Sequence, residues 1–127
     1  MRTILYSRNT MKALLVVAHG SRRVQSNQEV VTLAAQMAKQ LTDYQHVHAA
    51  FLELVEPSIS TTIEECYQAG VRDITLYPHF LAEGTHVVND LPRIVEQAHS
   101  AHNDLQIKLI QHLGGFPGLA DFICKQL

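Results

Sequence analysis

Residues 12–23, Lys-Ala-Leu-Leu-Val-Val-Ala-His-Gly-Ser-Arg-Arg, decide the fold. Ala13 through Ala18 form an unbroken apolar run, without the polar alternation of a strand that faces water on one side. Such a run reads as a strand buried on both faces, the usual state of a parallel strand covered by helices. His19-Gly20-Ser21 then breaks the pattern. Beyond it Val24, Val30, Val31, Leu33, Ala34, Met37, Ala38 and Leu41 recur at three- and four-residue steps, which predicts an amphipathic helix over 24–41. Strand, tight turn and helix in that order make the first unit of an α/β chain.

The same alternation continues outward. Residues 46–52 are β-rich; after Pro57, helical spacing runs through Ser58, Ile59, Thr62, Ile63, Cys66 and Tyr67 to Gly70, a glycine suited to a helix C-terminus. Residues 71–77 predict a third strand that Pro78 stops, 79–90 an irregular segment, and 91–101 a helix with Pro92 in its first turn. Residues 105–111 predict a fourth strand, Gly114-Gly115 a turn, and 117–126 a last helix. Four strand–helix units with short connections imply one three-layer α/β domain, a four-stranded parallel sheet with helices on both faces. Residues 1–10 read as an extension ahead of a domain spanning 11–127.

Composition narrows the function. A chain of 127 residues with 46% apolar and 17% charged side chains suits a single packed domain. A formal charge of −2 argues against a nucleic-acid-binding domain. The longest apolar run is too short to cross a membrane, and MRTILYSRNT lacks the apolar centre of a secretory signal. Cys66 and Cys124 make no disulfide framework, so a reduced, cytoplasmic setting is expected. Neither G-x-S-x-G, G-x-G-x-x-G, a Walker loop nor C-x-x-C is present. Alanine, not the arginine of a histidine phosphatase, precedes His19-Gly20.

What stands out is eight histidines. Ligands of parallel α/β sheets bind beyond the carboxyl ends of the strands, and histidine and glutamate gather at those predicted ends: His19, Glu53, Glu56, His79, Glu83, His86 and His112. His19, Glu53 and His86 are 34 and 33 residues apart, one strand–helix unit each, so successive strand ends could bring them to one ion. Two imidazoles and a carboxylate suit a first-row divalent metal, and neutral imidazole accepts protons near neutral pH. Plainer roles compete at each position. Glu53 could face water, Glu56 could sit at the start of a helix, and Arg22 and Arg23 could form its solvated opening. His79 could pack in the bend after Pro78, and His112 is at the correct rim but has no evident partner. His46 and His48 read as strand-start residues, His99 and His102 as residues favoured by a helix C-terminus, and Cys66 as core.

Three motifs, LLVVAHGSR at 14–22, FLELVEPSI at 51–59 and PHFLAEGTHVVNDLP at 78–92, together resemble the sirohydrochlorin chelatases in their small single-domain form. The resemblance covers roughly the first three strand–helix units; the last quarter matches in strand–helix character more than in motif. It implies a class II chelatase, a lyase that inserts cobalt or iron into sirohydrochlorin in cobalamin or sirohaem biosynthesis. It implies no organic cofactor, the divalent metal being a substrate. His19 and His86 correspond to the catalytic, metal-binding histidines, and Glu53 to an acid that helps hold the ion in many members but is missing from some short ones. Sirohydrochlorin carries eight carboxylates, which Ser21, Arg22, Arg23 and the opening of the first helix would anchor. Longer members look like two such domains fused, so a homodimer is expected. The competing function is a non-catalytic metal- or tetrapyrrole-binding carrier.

Overall fold

A computed structural model describes residues 10–127 of the chain. The expected N-terminal extension lies, apart from Thr10, outside the described residues. The elements run β1 (Met11–Ala18), α1 (Val24–Gln40), β2 (His46–Phe51), α2 (Ile59–Gln68), β3 (Val71–Pro78), α3 (Thr85–Ala101) and β4 (Gln106–Leu109), followed by a 3₁₀ turn (Leu113–Gly115) and α4 (Leu119–Lys125). All strands pair in parallel, in the order β2-β1-β3-β4. The chain moves outward from β1 to β2, then crosses back over β1 to reach β3 and β4. The direction of winding therefore reverses between β1 and β3.

Successive β1 side chains serve opposite faces, and both faces are apolar. Ala13, Leu15 and Val17 join Ala50, Ile74 and Leu76 beneath Ile59, Ile63 and Cys66 of α2 and Val87 and Leu91 of α3. Leu14, Val16 and Ala18 join Ala49, Phe51 and Tyr77 on the other face, against Val30, Leu33, Ala34 and Met37 of α1. The uninterrupted run at 13–18 is thus explained: neither face of the central strand meets water. Helices cover both faces, as the sequence predicts.

Two expectations are corrected. Helix α3 starts at Thr85, with Gly84 as its N-cap, six residues ahead of the predicted Leu91, so Pro92 lies in the helix interior and not in its first turn. Val87 begins a buried stripe that continues through Leu91, Ile94, Val95 and Ala98. That packing outweighs the hydrogen bond Pro92 cannot donate, and the carbonyl thus left free belongs to Val88, an exposed residue within reach of water. Strand β4 is four residues long, shorter than the predicted 105–111, because the chain has left the β3 ladder by the His112 turn. Helix α4 packs on the 3₁₀ turn and leaves Phe122 and Ile123 exposed.

Away from these ends, one polar cluster ties α2 to the segment between α3 and β4. The Tyr67 ring stacks on His102 at 3.7 Å between centroids, and the Arg72 guanidinium lies over that same ring. Tyr67 donates its hydroxyl to Asp104 at 2.7 Å, and His102 Nε2 donates to Glu64 at 2.7 Å. The Tyr67 hydroxyl lowers the Asp104 pKa, and His102 lowers that of Glu64. Carboxylates with depressed pKa values stabilise the fold above their unfolded pKa, and that contribution disappears as pH falls through the folded value. Asp104→Asn should therefore lower the melting temperature at pH 7, and the gap from wild type should shrink below about pH 4, as thermal unfolding followed by circular dichroism would show.

Candidate metal and substrate site

The turns that follow β1, β2 and β3 are stitched together by backbone hydrogen bonds. His79 N–H donates to Val17 at 2.8 Å, Leu52 N–H to Ala18 at 2.9 Å and Glu53 N–H to His19 at 3.0 Å. Gly20 makes the last two possible. Its φ is +98°, and a Cβ there would fall on the Glu53 carbonyl oxygen. The His19 turn is thereby pressed against the Glu53 turn beside the point where the winding reverses, where α/β sheets hold their ligands.

The side chains meet as the backbone does. His19 Nε2 donates to Glu53 Oε2 at 2.9 Å, and both groups are open to water, His19 at 47% and Glu53 at 58% exposure. Phe80 places its ring edge-on to His19, with centroids 6.2 Å apart. His86 is the second residue of α3, whose first turn is anchored by Val87 in the core under α2 and α3; the His86 side chain lies outside the described residues. Among the described residues no three His, Cys, Asp or Glu side chains converge on a single point. The described part of the predicted triad is thus an imidazole–carboxylate pair.

Ser21 is fixed in place. Its N–H donates to Asn27 Oδ1 at 2.9 Å, Asn27 Nδ2 donates back to its carbonyl, and its hydroxyl accepts Arg23 N–H at 3.0 Å. That network shapes the entry to α1 and leaves the Arg22 and Arg23 side chains exposed, their guanidinium groups without a hydrogen bond or ion pair to other described residues. Their guanidinium groups are therefore available to an acidic ligand. Sequence reasoning did not single out the exposed apolar residues of the same rim. Val24, Leu54, Leu81 and Val88 stand on the segments after β1, β2 and β3.

The other histidines are separated by their partners. His79 Nδ1 and the Tyr77 hydroxyl share a hydrogen bond at 2.9 Å, and burial pushes the His79 pKa down; the ring packs on the α1 side, consistent with the plainer reading. His112 Nδ1 lies 3.0 Å from Glu83 Oε1 but without hydrogen-bond alignment, in a cleft of about 260 Å³ between β4 and the start of α3. Gly114 lets this segment approach: its N–H donates to the Phe80 carbonyl at 3.0 Å, and a Cβ would collide with Leu81 O.

Comparison with known proteins places the chain among relatives of one family and fold. The CbiX family matches residues 13–127. A sirohydrochlorin cobaltochelatase of Methanopyrus kandleri is 35% identical over 85 residues, which are 67% of this chain and 59% of that protein. The chloroplastic sirohydrochlorin ferrochelatase of Arabidopsis thaliana is 32% identical over 110 residues, 87% of this chain and 48% of that protein. The chain thus spans about half the length of these relatives. The crystal structure of a putative cobalamin biosynthesis CbiX protein from Marinobacter aquaeolei VT8 superposes with a TM-score of 0.77 at 28% identity, covering 91% of this chain and 92% of that one.

Gly20→Ala places a side chain where φ is positive and displaces the Glu53 carbonyl. Chemical denaturation should register a loss of at least about 1–2 kcal/mol, together with weaker Co²⁺ binding. A variant as stable as wild type would show that the two turns do not depend on this close approach.

Proposed function

The chain belongs to the CbiX family, and on that premise we propose that it inserts Co²⁺ or Fe²⁺ into sirohydrochlorin, serving cobalamin or sirohaem formation. The observation that carries this reading is the solvent-open His19–Glu53 pair at the reversal of the sheet winding. Metal insertion needs a site that strips water from the ion, holds it by exchangeable bonds and accepts two protons as two pyrrole N–H bonds give way to metal–nitrogen bonds. Imidazole and carboxylate bind first-row divalent ions without closing every coordination position. In this proposal His19 and Glu53 hold the incoming ion. His86, from the first turn of α3, supplies the second imidazole, and the two histidines take the displaced protons. No redox step arises, and no organic cofactor is called for.

The surroundings suit the partner substrate. Sirohydrochlorin is a broad apolar ring edged with carboxylates. Val24, Leu54, Leu81 and Val88 offer apolar contact at the rim, while Arg22 and Arg23 can pair with the acidic arms. The Asn27 network holds Ser21 and, through it, the arginine-bearing turn at the entry to α1.

A second copy of the chain completes the cleft in this proposal. The chain matches about half the length of the relatives named above, and Phe122 and Ile123 of α4 are apolar surface for such a contact. Among the described residues no helix is long and apolar enough to cross a membrane, and Cys66 and Cys124 are free thiols. We propose a cytoplasmic setting, which the free thiols suit.

Incubation with sirohydrochlorin and Co²⁺ or Fe²⁺, followed by absorbance, should show insertion faster than the uncatalysed rate. His19→Ala and His86→Ala should each slow it about 100-fold or more while the fold survives. Tight metal binding without turnover would instead identify a carrier. Arg22→Ala and Arg23→Ala should each raise KM for sirohydrochlorin at least about tenfold with a smaller effect on kcat, since a charge-assisted contact contributes about 1.5–3 kcal/mol. Sedimentation should give a dimer; a fully active monomer would reject the shared cleft.

A further inference from the structure

His46 and His48 stand two residues apart on β2, at the opposite end of that strand from the turn that carries Glu53. Residues two apart on a strand share a face, and here it is the face toward α2, the same one that Ala50 presents to the core beneath that helix. Strand β2 is an edge of the sheet, so this face opens sideways to solvent. The two imidazole rings lie 5.7 Å apart between centroids, tilted by 39°. Two imidazoles bound to one ion, with metal–nitrogen bonds of about 2.0–2.1 Å, would have centroids about 5–5.5 Å apart. The spacing of the two rings is therefore close to that of a chelating pair.

The rings also border a cavity of about 510 Å³ along the β2 edge. Glu65 of α2 lines it, and the small side chains of Ala34, Ala35 and Ala69 leave it roomy. Neither histidine has a carboxylate or carbonyl partner among the hydrogen bonds and ion pairs of the described residues, in contrast to His19, His102 and His112. Their ring nitrogens are thus available.

We propose that His46 and His48 chelate a second first-row divalent ion (Co²⁺, Ni²⁺ or Zn²⁺), with water filling the remaining positions and the exposed Glu65 carboxylate lending negative charge from the cavity wall. Two nitrogens and an oxygen suit these borderline ions over Mg²⁺ or Ca²⁺, which prefer all-oxygen sets. The site is separate from the His19–Glu53 pair and does not rest on the chelatase reading. It gives the chain a place to hold an ion outside the reaction cleft.

Calorimetric titration of the intact protein with Co²⁺ or Zn²⁺ alone tests this. Wild type should bind one more ion than His46→Ala/His48→Ala, and His48→Ala alone should weaken that event about tenfold or more. His19→Ala should retain it. In NMR, substoichiometric Co²⁺ should broaden the ring resonances of His46 and His48, and Mg²⁺ should leave them unmoved. Circular dichroism establishes that the variants fold, and their metal-insertion rate at saturating ion should match wild type. Unchanged stoichiometry and affinity in the folded double variant, with both sets of ring resonances unaffected by Co²⁺, would overturn the proposal. Failure of sirohydrochlorin metallation would leave these binding readouts intact.

Discussion

The close contact between the His19-Gly20 turn and the Leu52-Glu53 turn is the constraint on which the active end of the molecule depends. Gly20 occupies a backbone conformation that side chains avoid, and its missing Cβ is the space taken by the Glu53 carbonyl. Two backbone hydrogen bonds close the contact, and the His19–Glu53 hydrogen bond lies directly above it. The sheet supplies support from below: β1 is buried on both faces and paired on both edges, and the turn projects from its carboxyl end. If His19 and Glu53 hold the ion as proposed, groups fixed this way would require little rearrangement to meet it.

The rim around the pair divides its labour by chemistry. In the proposed function, the exposed apolar residues on the segments after β1, β2 and β3 would face the flat ring, and Arg22 and Arg23, whose guanidinium groups have no partner among the described residues, would meet its acidic edge. The overall charge of −2 does not conflict with the proposed acidic ligand, because Arg22 and Arg23 would meet it locally. The polar cluster of Tyr67, Arg72, His102 and Asp104 lies elsewhere and serves packing between α2 and the β4 side.

Much of this was legible in the sequence. The run at 13–18 announced a two-sided buried strand, and the 3.6-residue spacing at 24–41 announced its helix, because both patterns follow from burial alone. The winding order was not legible: nothing in a linear sequence says that β2 and β3 flank β1, yet that order creates the switch point. Helix α3 was read too short because Gly84 and Pro92 both signal irregular chain, and the polar pair Asn89-Asp90 interrupts the stripe that Val87 begins. Packing of Val87 and Leu91 overrode those local signals. For the site, spacing pointed to His19 and Glu53 as neighbours, and they are. The role of Gly20 and the apolar rim emerged only in three dimensions, because a close approach between distant turns and the exposure of a valine are tertiary facts. His46 and His48 were dismissed singly, although two-residue spacing on a strand already placed both rings on one face.

Anomalous diffraction at the cobalt edge, from crystals of the active protein grown with Co²⁺, tests the central claim most directly. The account predicts an ion bonded to the His19 imidazole at about 2.0–2.2 Å and shared with Glu53. Cobalt lying away from both residues, in a protein that still metallates sirohydrochlorin, would contradict it.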